Sequence, residues 1–184
     1  MSAPPLGRTF AACTGVLVVA LLLLAQATDG GRAFTTETLR RSEVARQAWP
    51  VPPLAVRNAR AEVSDLRGVL ARDGRVWIVG FIYARCNTLC LALGTEFQRL
   101  QQQIESRGLQ QRVGLLSVSF DPERDDAAAL ADYAQRMRLQ PAIWQVRALA
   151  DADDRRRLLD AFGIMVIPAP LGEWEHNAAL HVVS

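Results

Sequence analysis

The sequence predicts an α/β domain with a largely parallel central sheet flanked by helices. Three observations point there. Runs of β-branched and aromatic residues alternate along the chain with segments of helical period. The runs lack polar alternation, as strands covered on both faces do. Proline and glycine separate the segments. Strands alternating with helices pack as a parallel sheet between helical layers.

The elements follow in order. "RVWIVGFIY" (75–83) is a buried strand. "CLALGTEFQRLQQQIESRG" (90–108) places Leu93, Phe97, Leu100 and Ile104 on one helical face, with Gly108 as the stop. "RVGLLSVSF" (112–120) is a second buried strand. "DPERDDAAALADYAQRMR" (121–138) begins as a turn with acidic residues suited to a helix N-terminus and continues as a helix. "AIWQVRAL" (142–149) is a third strand, and "DADDRRRLLDAFG" (151–163) a helix closed by Gly163. A loop with Pro168, Pro170 and Gly172 follows, then a last strand in "NAALHVVS" (177–184). Trp49, Trp77, Trp144 and Trp174 are read as packing residues.

The chain has 184 residues, half of them apolar, enough for one core. Its net charge is +2 and it shows no basic stripe, so no nucleic-acid partner is expected. Residues 1–27 read as a signal peptide or membrane anchor. Val16–Ala25 has the length of a signal-peptide apolar core, and Ala25-Gln26-Ala27 resembles a cleavage site. Residues 10–27 are also just long enough to span a bilayer. Either way the rest of the chain is expected in an envelope compartment that permits disulfides. Residues 28–48 read as a polar spacer, with a short helix at "TETLRRSEVARQ" (36–47), and "WPVPPL" (49–54) marks the domain boundary.

Chemistry concentrates in "ARCNTLC". Cys86 and Cys90 stand where the first strand turns into the first helix. Backbone N–H groups and the positive end of the helix dipole favour thiolate there, and Arg85 acts in the same direction. A spacing of four puts both sulfurs on one face, near enough to share a metal or to form a disulfide. Two inert core thiols are the plain alternative. Cys13 lies in the N-terminal apolar segment. The two histidines, His176 and His181, are five residues apart. Placed in one strand they would point to opposite faces, so at most one reaches the site. His176, at a loop-to-strand junction, is the better candidate.

The strand leading into "ARCNTLC", the segments "LLSVSFDPERD" and "DADDRRRLLDAFGI", and "HNAALHVVS" together resemble the Sco/SenC family of thioredoxin-fold copper proteins. The resemblance covers residues 49–184 and implies a thioredoxin-like domain. It implies a copper site, Cu(I) and in some states Cu(II), made by Cys86, Cys90 and His176, with His176 opening the last strand and His181 at a position often aromatic in the family. Two thiolates and an imidazole suit Cu(I), and zinc would want a fourth protein ligand. Asp121 and Asp125 are read either as hydrogen-bonding partners near that site or as turn formers and helix caps. The resemblance further implies a bacterial periplasmic assembly factor for the copper site of cytochrome c oxidase. Its partners would be subunit II of the oxidase or another copper acceptor, periplasmic thiol-redox or copper-donor proteins, and the inner membrane if the anchor is retained. Asn87 and Leu91 stand where family members commonly have proline. Family members also continue beyond the strand in which Ser184 stands, so the chain is expected to be C-terminally short. Two rival readings stay open. One is a metal-free thiol–disulfide oxidoreductase using Cys86 and Cys90. The other is an exported interaction domain with a degraded site.

Overall fold

The structure is a computed structural model. It describes residues 6–28, 30–31, 35, 38, 50–85, 89–170 and 173–184. Cys86, Asn87, Thr88, Trp49, Gly172 and, apart from Thr38, the expected helix at 36–47 lie outside the described residues. The chain divides into two compact units, Met1–Pro50 and Val51–Ser184.

The first unit holds helix α1 (Leu6–Ala27). Within it, Thr9–Ala27 is long and apolar enough to cross a membrane, with a mean hydropathy of 2.3. Large apolar side chains from Phe10 to Leu24 are exposed in the absence of any bilayer.

The second unit runs β1 (Ala55–Asn58), β2 (Val63–Asp65), α2 (Leu66–Ala71), β3 (Val76–Ile82), α3 (Leu89–Ser106), β4 (Val113–Ser119), α4 (Ala127–Arg136), β5 (Trp144–Leu149), α5 (Arg155–Phe162), β6 (Val166–Pro168), β7 (Trp174–His176) and β8 (Leu180–Val183). Six strands form one sheet in the order β2-β1-β5-β4-β3-β8. The parallel part is its centre: β3 pairs with β4 from Val76↔Val113 to Ile82↔Ser119, and β4 pairs with β5. The flanks, β1 on β5, β2 on β1 and β8 on β3, are antiparallel.

The sheet is covered on both faces. Trp144 meets Phe97 of α3 and Tyr133 of α4, so both helices lie on its side of the sheet. Phe81 packs on Phe162 of α5 from the opposite side. Val79, Phe81 and Ile82 are fully buried, and each contributes about 1.5–3 kcal/mol by leaving water. Two close approaches need glycine. A Cβ on Gly80 would come within 3.0 Å of Phe97, and one on Gly114 within 2.7 Å of the Trp77 ring. Gly108 and Gly163 end their helices with φ of +65° and +61°, as a left-handed stop requires.

Two expectations are corrected, and one segment gains an assignment. The segment 55–71, without an assignment from sequence, supplies β1, β2 and α2. The expected Pro/Gly loop is in part a two-stranded hairpin, β6 with β7, in which Val166 faces His176 and Pro168 faces Trp174. Proline is tolerated there because a two-stranded sheet has an unpaired side on each strand. His176 therefore closes β7 instead of opening the last strand. It stands on a different strand from His181, and the odd-separation argument does not govern the pair.

Candidate copper-binding site

Candidate groups gather at the C-terminal ends of β3 and β4, the end of a parallel sheet where ligands usually bind. The β3 ladder stops at Ile82, where Phe120 N–H donates to the Ile82 carbonyl (3.1 Å). Tyr83, Ala84 and Arg85 follow and lead to Cys86. Cys86 is outside the described residues. Cys90 lies in the first turn of α3, and its side chain is likewise outside the description.

His176 is 8% exposed. Its ring meets Phe120 edge-on at 5.3 Å and Tyr83 at 6.3 Å between centroids. Its Nδ1 lies 3.2 Å from the Asn177 carbonyl. A carbonyl only accepts, so this contact favours the tautomer with the proton on Nδ1 and the lone pair on Nε2. Tyr83 ties β7 to the end of β3: its hydroxyl donates to the Glu173 carboxylate (2.6 Å) and lies 3.2 Å from the Trp174 carbonyl. Tyr83, Glu173, Trp174 and Phe120 were not singled out as site residues from sequence. Their signal is positional, since each sits within three residues of a motif.

Asp121 and Asp125 are both 1% exposed. Neither carboxylate caps α4. That role falls to Asp126, whose carboxylate accepts the Ala129 N–H (2.8 Å). The 121–125 turn is closed by the Asp121 carbonyl, which accepts from the N–H groups of Arg124 and Asp125. The side chains reach elsewhere. Asp121 accepts from Trp174 Nε1 (3.2 Å) and lies 3.5 Å from the Arg155 guanidinium and 3.7 Å from that of Arg124. Arg155 also donates to the Phe120 carbonyl (2.8 Å) and stacks over the Trp174 ring.

One oxygen of Asp125 accepts from the Ala84 N–H (2.7 Å) and from the Ser119 hydroxyl (2.5 Å). Its other oxygen is buried without a hydrogen-bond partner. Burial raises the Asp125 pKa above the ordinary carboxylate range, against the opposing pull of the Ser119 and Ala84 hydrogen bonds.

His181, facing Val79 across the β3–β8 ladder, packs edge-on against Phe81 and Phe162 as an aromatic core residue would. The structure thus brings His176, Asp121 and Asp125 to the sheet end from which the cysteine segment departs, and holds His181 in a separate aromatic cluster. Among the described residues, no three His, Cys, Asp or Glu side chains converge.

Sheet order, helical layers and strand-end cluster together define a thioredoxin-like α/β domain. A family model described as SCO1/SenC matches residues 68–176. The SCO1 protein homolog of Bacillus subtilis (strain 168) is 30% identical over 138 residues, which cover 73% of this chain and 68% of that protein. The chain belongs to the SCO1/SenC family. Two solved structures share the fold. BsSco, described as a member of the Sco family of cytochrome c oxidase assembly proteins with a disulfide switch, aligns at TM-score 0.60 and 23% identity over 73% of this chain and 77% of its own. ScoI of Arabidopsis thaliana with copper bound aligns at TM-score 0.59 and 15% identity over 72% of this chain and 80% of its own.

Proposed function

We propose that the chain is a copper-binding assembly factor that holds Cu(I) through Cys86, Cys90 and His176. It would deliver the metal to the copper site of cytochrome c oxidase subunit II, or keep that site reduced. The observation that carries this reading is His176, buried at the sheet end where β3 runs on toward Cys86, with its Nδ1 against the Asn177 carbonyl. The donor chemistry fits: two thiolates and one imidazole are a soft set suited to Cu(I). A set of three leaves a coordination position for an acceptor's ligand, as a carrier requires. Asp121 acts at one remove, holding Trp174 and hence the strand that ends at His176. Membership of a family that includes copper-bound and oxidase-assembly proteins supports the same reading. Helix α1 would serve as signal peptide or inner-membrane anchor, placing the domain from about residue 49 onward in the periplasm.

The test is Cu(I) uptake by the full chain in detergent under reducing conditions. One equivalent per chain is expected, lost in Cys86→Ser and weakened in His176→Ala. A wild type that takes up no Cu(I) with both thiols reduced refutes the proposal.

A second reading, thiol–disulfide exchange by Cys86 and Cys90 without metal, is favoured by the disulfide switch described for BsSco. It requires the wild type to exchange with a dithiol substrate and His176→Ala to retain that exchange. Absence of exchange in the wild type removes it.

A further inference from the structure

Among the described residues, the last anchor before the cysteine segment is a pair of side chains, an aspartate and an arginine, on one residue. Ala84 is 2% exposed and stands two positions before Cys86. It lies beyond the β3 ladder, so no strand partner satisfies its backbone. Its N–H donates to Asp125 (2.7 Å), just ahead of α4, and its carbonyl accepts from Arg136 Nη2 (2.7 Å), the last residue of α4. The two peptide groups flanking the Ala84 Cα are thereby fixed from opposite ends of one short helix. The Arg136 guanidinium is ionised, and hydrogen bonds to ionised partners are about twice as strong as neutral ones. Arg136 is itself steered, because its other Nη pairs with Asp132 one turn earlier on α4. The next residue, Arg85, is exposed.

We propose that Arg136 is a positioning residue for the Cys86–Cys90 pair: with Asp125 opposite, it sets the backbone from which Cys86 departs. The chemistry of the cysteines then depends on a salt-bridged arginine that need not touch either sulfur. This inference rests on the reading of Cys86 and Cys90 as the working thiols, whether or not they hold copper. Loss of the Ala84 carbonyl contact would free one peptide rotation next to the pair, changing how readily the two sulfurs adopt disulfide geometry.

The test measures the thiol–disulfide equilibrium of the full chain in detergent against glutathione, in a Cys13→Ser background so that only the pair titrates. Arg136→Gln is expected to shift the equilibrium constant about tenfold, equivalent to roughly 30 mV for a two-electron couple. Arg136→Lys, which keeps a cationic donor, should recover most of the shift. Asp132→Asn, which leaves Ala84 and Arg136 in place but unsteers the guanidinium, should shift it in the same direction by less. Arg99→Gln, removing an equal charge from an exposed face of α3, should leave it unchanged. Values for Arg136→Gln and Asp132→Asn both within about twofold of the wild type overturn the proposal. Cu(I) uptake is measured in parallel. A wild type that binds none defeats the copper reading, while the exchange equilibrium still decides the role of Arg136.

Discussion

Trp174 donates its indole N–H to the Asp121 carboxylate across 3.2 Å, joining the strand that ends at His176 to the turn that follows β4. The same carboxylate lies within 4 Å of the Arg155 and Arg124 guanidinium groups. Removing it takes the carboxylate away from a half-buried indole N–H. Asp121→Ala is expected to cost about 1–3 kcal/mol, read as a lower urea midpoint with unchanged slope. It should also weaken Cu(I) binding about tenfold, as loss of a group that orients a metal ligand typically does. A stability loss with full Cu(I) affinity would show that the β7 strap does not position His176.

Asp125 makes stability depend on pH with a definite sign. Its folded-state pKa is raised, mainly by burial. Protonation is therefore more favourable folded than unfolded. The contribution is fully present below the unfolded carboxylate value of about 3.9 and is lost as pH rises through the raised folded value. Asn at this position cannot titrate. Relative to Asp125→Asn, the wild type should lose stability from about pH 4 upward, by at most about 1.4 kcal/mol per pH unit, and then level off. Urea titrations of both proteins between pH 3 and 7 check this. A difference that instead grows in favour of the wild type over that window contradicts the assigned direction.

Gly114→Ala tests the packing of β4 on β3. The added methyl would lie 2.7 Å from the Trp77 ring, which is 1% exposed. Overpacking of this kind costs about 1–3 kcal/mol, visible as a lower melting temperature and a changed near-ultraviolet signal from Trp77. Equal stability would mean that β4 shifts at no cost.

The central strands and their helices were legible because burial writes itself into residue type. Val79, Phe81, Ile82, Leu115 and Leu116 are apolar on successive positions because helices cover both faces of the sheet. Gly108 and Gly163 mark helix ends because only a left-handed residue closes them cheaply. The region 55–71 was illegible for the opposite reason. Its strands are four and three residues long, and Arg57 and Asn58 interrupt the apolar pattern. Asp65 was the one available signal there, a helix cap whose carboxylate accepts the Gly68 N–H. The β6–β7 hairpin was hidden by Pro168 and Pro170, which argue against a strand unless its pairing is one-sided. At the site, the loop-to-strand position and the family resemblance singled out His176, and "DPERD" singled out Asp121 and Asp125, but the partners of these residues were not legible. Nothing local in the sequence ties Asp125 to Ala84 or Trp174 to Asp121, since those contacts span 41 and 53 residues. Nothing in the sequence singles out Arg136, and only the fold brings it to the backbone ahead of Cys86.

The most direct measurement is a Cu(I) competition titration of the full chain, wild type against His176→Ala, under reducing conditions. One Cu(I) per wild-type chain is expected, with an affinity reduced by about tenfold or more in the variant, because a ligand is lost from a set of three. Equal affinity in the two proteins would contradict it, since the buried imidazole would then take no part in holding the metal.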